Sequence, residues 1–254
     1  MIATSRHNLC ELYQAVGELT KAEASYREGI EIFTKAGDRG GVAAEYSGLG
    51  DIAAARGEGA ARTEYERAIK TRSELGLQAL VAASKLAYGT YLLGVAPREA
   101  EPLLKEVAAT FREVKDRDRE AWAVGFLGRA QLALGRRDEA LRTIDAARAI
   151  GDRAAYFRAR LTFQINQAVV QASSGRPDDV ERARKTLASL FQEAVDHGMV
   201  NRQIELRLEL GRVERLSPAT AAAGKTRLQG VAKDAKARQF HAIAKAAARR
   251  SPRN

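Results

Sequence analysis

The chain has 254 residues, 45% of them hydrophobic and 29% charged, which fits a soluble globular protein of one or two domains and excludes a wholly disordered one. Aromatics make up only 6% of it and the net charge is +10; Ala, Arg, Leu and Glu dominate, which favours helix throughout and disfavours a sandwich or barrel. No run of about 18 apolar residues occurs, so a membrane-spanning helix is excluded, and the single Cys10 excludes an internal disulfide framework and points to a reducing cytoplasm.

In chain order, five glycines each close an apolar helical stretch and precede an alanine-rich one: Gly17, Gly57, Gly94, Gly135 and Gly175, spaced 40, 37, 41 and 40 residues apart. The surrounding text rhymes, as LCELYQAVGELTKAEASYREGI, GLGDIAAARGEGAARTEYERAI and FLGRAQLALGRRDEALRTIDAA. Between copies, Gly37-Asp38-Arg39, Leu75-Gly76, Asp116-Arg117-Asp118 and Gly151-Asp152-Arg153 supply second turns. Gly accepts the left-handed conformation that closes a helix, and Asp offers an N-cap acceptor for the next. Two helices per repeat fill the period.

Beyond residue 198 the glycine landmark disappears, although Val200, Ile204, Leu208 and Gly211 still line one face of a helix over 200–213, widened by Leu206 and Leu210. Ser217-Pro218 predicts a helix start. A last helix, about 238–250, carries Phe240, Ile243, Ala244 and Ala247 as an apolar stripe, suited to covering the end of a solenoid. The reading is a repeat array over 1–197 and a C-terminal helical cap with a basic tail over 198–254. The first helix begins near Ala3 with no helix to cap it, which points to more protein upstream of Met1 or, alternatively, to a half-exposed first repeat that self-associates.

The repeats resemble the tetratricopeptide repeat, or TPR, whose pattern is W-x2-L-G-x2-Y followed by A-x3-F. Leu9, Cys10 and Tyr13 with Ala22, Tyr26 and Gly29 carry the first copy; Tyr46, Leu49 and Gly50 with Ala61, Tyr65 and Ala68 the second. Leu86 and Ala87 with Ala100, Leu104 and Val107 form a weaker third, and Leu127 and Gly128 with Ala140, Ile144 and Ala147 the fullest, fourth copy. In the fifth, Gln167 stands where Leu belongs. Small residues let the two helices of a repeat approach closely, and Cys10, at such a place, reads as core. The resemblance implies an all-α, right-handed α-solenoid of about five helix hairpins plus capping helices. The long period is similar to arrays in bacterial signalling and transcription regulators, which implies membership of a larger protein of that kind.

The same resemblance puts the first helix of each hairpin on a concave face that holds a protein or peptide. The matching places carry Glu11 and Gln14, then Ser47 and Asp51, then Ser84, Tyr88 and Tyr91, then Trp122, Gly125 and Arg129. Tyr88 and Tyr91, three apart, and Trp122 and Arg129, seven apart, share helix sides, and these residue types dominate binding hot spots. The alternative is that Trp122 packs on the preceding second helix and the tyrosines cap core edges. Glu11 and Asp51 make the other end acidic, so a peptide or helix with apolar anchors and a basic end fits. The Lys and Asn of the chaperone-binding carboxylate clamp are absent.

No phosphate-binding glycine loop, dinucleotide fingerprint or H-E-x-x-H occurs, and His7, His197 and His241 fall in separate helices. No enzyme activity, cofactor or metal is expected. Residues 224–254 hold nine cations against Asp234, which offers a second function: weak, sequence-blind nucleic-acid contact. Its alternative is a solvated helix face.

Overall fold

The computed structural model describes residues 2–249, with side chains from residue 9 onward. Among these residues there are thirteen α-helices and no strand. Twelve pair as consecutive hairpins. The first three are α1 (Ile2–Ala15) with α2 (Leu19–Lys35), α3 (Arg39–Arg56) with α4 (Ala60–Glu74), and α5 (Gln78–Val95) with α6 (Pro97–Glu113). The next three are α7 (Arg117–Ala133) with α8 (Arg137–Gly151), α9 (Phe157–Ala172) with α10 (Pro177–Asp196), and α11 (Val200–Glu214) with α12 (Ala221–Ala237). The short α13 (His241–Ala248) follows. The fold is an all-α repeat solenoid.

Small residues at the hairpin contacts explain the pairing. A Cβ at Gly128 would stand 2.9 Å from Ile144 Cγ1, so only glycine admits this approach of α7 to α8. Gly211 meets Leu228 in the same way, and Gly224 meets the Gly211 carbonyl, so α11 and α12 repeat the geometry beyond the last glycine landmark. Cys10 is fully buried at the equivalent place in α1.

Several expected landmarks are displaced. Gly94 lies inside α5 with nothing against it, and the turn is made instead by Ala96 and Pro97, whose fixed φ suits the first turn of α6. The small residue facing Leu104 is Gly89 rather than Ala87. Gly151 is the buried last residue of α8, packed on the Phe163 ring, and Asp152 is the C-cap of α8 rather than the N-cap of the next helix. Asp118 of the preceding repeat does that work, accepting from the Ala155 and Tyr156 amides at 3.0 and 2.8 Å. Ser217 and Pro218 sit in the turn before α12, which begins three residues later than their pattern suggests. Leu9, expected in the core, is 42% exposed. In the fifth hairpin the small place is filled by buried Ala168, beside half-buried Gln167.

The first helices of the six hairpins touch in order, α1 to α3 to α5 to α7 to α9 to α11, and α11 returns to α1. They form a closed inner ring, with the second helices outside it. α13 completes the closure by packing on α3 and α11 as well as α12. Its stripe therefore covers both ends of the array, in one apolar cluster that joins Cys10, Tyr26 and Ile52 to Ile204, Val231 and Phe240.

Candidate binding face on the inner ring

Each inner helix turns one face toward the ring's interior, and polar side chains reach across it. Glu11 on α1 lies 3.8 Å from Arg158 on α9. Gln14, one turn on, is half-buried and accepts a hydrogen bond from the Tyr26 hydroxyl at 3.4 Å. Asp51 on α3 accepts from the Tyr65 hydroxyl at 2.6 Å. Burial pushes the Asp51 carboxyl up, and the Tyr65 bond and the Arg158 charge only partly oppose this. The sequence's acidic end thus exists, but with the chain's own Arg158 standing in it.

On α5, Tyr88 and Tyr91 stack at 6.3 Å between ring centroids, with 14° between planes. Tyr65 from α4 completes a triad, 5.7 Å from Tyr88 and 6.1 Å from Tyr91. The Tyr88 hydroxyl donates to Glu66 Oε1 at 3.1 Å, and its pKa is pushed up to about 12, by burial first and that carboxylate second. The cation at the triad is Arg62, 5.8 Å above the Tyr88 ring. Arg129 is turned elsewhere: its guanidinium donates to Glu209 of α11 at 2.9 Å and to Asn166 of α9 at 3.4 Å. Glu209 also accepts from Arg212 at 3.1 Å, and although burial works to raise its carboxyl, the two guanidiniums hold it below the usual range.

Trp122 is half-buried against the central apolar cluster, with its indole Nε1 enclosed and unpartnered. Asn166 Nδ2, Arg158 Nε and Arg202 Nε are also enclosed donors without an acceptor. A buried donor left unpaired costs about 1–3 kcal/mol, so this sector of the inner face is under-satisfied in acceptors.

The structure therefore brings Tyr88 and Tyr91 together with Tyr65, and groups Glu11, Gln14 and Asp51 around Arg158. It does not bring Arg129 to the tyrosines. Missing from the sequence reading were Arg158 and Asn166 on α9 and Arg202, Glu209 and Arg212 on α11. The signal for α11 was present: Gly211, Gly224, Leu228 and Val231 echo Gly128, Ala140, Ile144 and Ala147 with one residue added to the turn.

At the C-terminal end Lys225, Lys233, Lys236, Arg238, Lys245 and Arg249 are exposed, while Arg227 is tied to Glu214. Arg250 and Arg253 of the expected basic tail lie outside the described residues. Among the described residues no His, Cys, Asp and Glu group is placed to hold a metal ion, and no helix is long and apolar enough to cross a membrane.

The tetratricopeptide repeat family matches residues 121–146, which is most of α7 and the start of α8. The crystal structure of a Rap protein complexed with competence and sporulation factor resembles this chain with a TM-score of 0.67. The chain has a TPR-type repeat fold. Identity to the Rap protein is 14%, over 94% of this chain and 71% of that one, so the likeness to it is one of fold. No curated protein matches the sequence. In TPR terms, the inner faces of α1, α3, α5 and α7 hold the places marked from sequence, and α9 and α11 extend the same face.

Proposed function

We propose that this TPR array is an interaction module that binds a peptide or helix of a partner protein on its inner face. The observation that carries the reading is the Tyr88–Tyr91 stack on α5, backed by Tyr65 of the outer helix α4, beside the acidic group of Glu11 and Asp51 on α1 and α3. Tyr65 and Tyr88 belong to the core, 1% and 8% exposed, so the half-buried Tyr91 is the ring the triad presents to a ligand, and the acidic group suits a basic end. Because Arg158 already faces those carboxylates, the ligand's basic group exchanges with it on entry. The Rap protein of like fold was solved in complex with competence and sporulation factor, which supports a binding role. A cytoplasmic place in a larger bacterial signalling or transcription protein is part of the proposal and rests on the long repeat period and the lone cysteine.

Partner capture with the full chain, followed by titration of the identified partner against Tyr91→Ala, tests this. A partner that binds Tyr91→Ala and Asp51→Asn as it binds the native chain would remove the inner face from the reading. A second reading, contact with nucleic acid through α12 and α13, is favoured by the six exposed cations there.

A further inference from the structure

α13 is too short to stand alone as a helix in water, and its position reads as an occupied docking site. Phe240, just before it, is 4% exposed and meets the turn between α1 and α2, where a Cβ on Gly17 would stand 3.3 Å from the Phe240 ring and 3.6 Å from Val200. One repeat along, a Cβ on Gly57 would stand 3.9 Å from the Ala242 Cβ. On the far side, Arg212 of α11 donates to the Ala246 carbonyl at 3.4 Å, in the last turn of α13, where a cation favours the helix end. The segment thus lies beside the C-terminal ends of α1 and α3 and runs along α11, from Val200 at its start toward Arg212 near its end.

The linking residue is held, not relaxed. Gln239 has φ +64, a left-handed backbone uncommon outside glycine. Its amide oxygen accepts from Arg56 at 3.2 and 3.3 Å and from the Thr20 hydroxyl at 3.3 Å, so the first two hairpins clamp the hinge. The charges also complement each other. Glu18 and Glu58 follow the two turn glycines and are exposed, while Arg238, Lys245 and Arg249 are exposed on the segment. The C-terminal ends of α1 and α3 add the negative pole of their dipoles to the same surface.

We propose that this surface is a docking site for a short, alanine-rich helix led by an aromatic residue and carrying cations, and that α13 is its occupant in cis. A partner helix of the same chemistry competes with α13, and its docking displaces α13 from α3 and α11. The proposal does not rest on the inner-face reading, because none of its contacts involves Tyr88, Tyr91 or Asp51.

The test uses a fluorescent peptide of residues 238–249 titrated into the full chain by anisotropy. In the native chain the site is taken and binding is weak. In Phe240→Ala the internal occupant loses its anchor, and the peptide is expected to bind at least about tenfold tighter, as occupancy by α13 no longer taxes affinity. The same peptide carrying alanine for phenylalanine should lose about tenfold. Gln239→Ala, which removes the clamp and keeps the anchor, serves if Phe240→Ala melts early, and should also gain affinity. A folded Phe240→Ala chain that binds the peptide no better than the native one would overturn the proposal. So would equal binding of a scrambled peptide of the same charge, which would mean general cation attraction. Adding Tyr91→Ala should change none of these results.

Discussion

Arg129 on α7 and Glu209 on α11 are 80 residues apart in sequence and 2.9 Å apart in space. With Asn166 of α9 on the same guanidinium, the pair ties the fourth hairpin to the fifth and sixth across the inside of the ring. The residue that sequence placed in a binding hot spot is therefore also a closing brace. Glu209 is 5% exposed and would keep only Arg212 if the brace were cut.

Removing one partner of a buried ion pair leaves a charge without its full compensation. Arg129→Ala should lower stability by about 2 kcal/mol, less than the full cost of an orphaned charge because Arg212 remains. Urea unfolding followed by circular dichroism measures this. An unchanged midpoint would mean that the two hairpins are not braced through this pair.

The same carboxylate fixes the sign of a pH effect. Its pKa in the fold lies below the usual carboxylate range, so the unfolded chain takes up its proton first as pH falls. The stability it contributes is present above the ordinary carboxylate pKa and is lost as pH drops through the depressed value. Glu209→Gln should be less stable at neutral pH and show a shallower loss between about pH 5 and pH 3. Parallel curves for the two proteins would assign the acid limb to other carboxylates.

Glycines separate packing from punctuation. A Cβ on Gly48 would run into the Tyr26 ring, whereas Gly94 has nothing within 4 Å and sits in helical backbone. Gly48→Ala should cost about 1–3 kcal/mol through overpacking, and Gly94→Ala should gain about 0.5 kcal/mol by limiting the unfolded chain. Melting temperatures moving in the same direction for both would contradict the placement of α5.

Much of this fold was legible because close helix pairing demands small residues at fixed spacing. Cys10, Gly50 and Gly128 announce their hairpins, and Gly17, Gly57, Gly135 and Gly175 all take the positive φ of a helix end. Gly94 misled because an unneeded glycine in a final helical turn looks like a turn glycine in sequence. Lys115 misled in reverse, adopting φ 59 where glycine stands in other copies. The inner face was half legible. Local spacing places Tyr88 beside Tyr91, but nothing local reports that α11 returns to α1. The partners of Arg129 and of Glu11 follow from ring closure, a long-range outcome that no window of sequence contains.

The basic end makes a prediction about salt. If α12 and α13 hold nucleic acid, each phosphate contact contributes about 0.9 to the slope of log affinity against log salt. Replacing Lys233, Lys236 and Lys245 by Gln should flatten that slope and weaken all sequences alike. A salt-resistant or sequence-selective complex would point to a recognition element other than these cations.

Arg158 gives the inner face its most discriminating test. It stands 3.8 Å from Glu11, and its charge is felt at Asp51, whose carboxyl is pushed up by burial. A ligand with a basic end must take over these carboxylates, so Arg158 competes with it. Arg158→Gln should tighten such a partner by about threefold to tenfold, since the internal competitor no longer occupies part of the population. Asp51→Asn should weaken the same partner, because the acceptor charge is lost. Opposite signs from two neighbouring polar changes are hard to obtain from general destabilisation, which would weaken binding in both. Isothermal titration of the captured partner against the two variants reads the signs directly. Weakening by Arg158→Gln together with tightening by Asp51→Asn would mean that the ligand's end is acidic, reversing the polarity assigned to this end of the face, and weakening by both would mean general destabilisation.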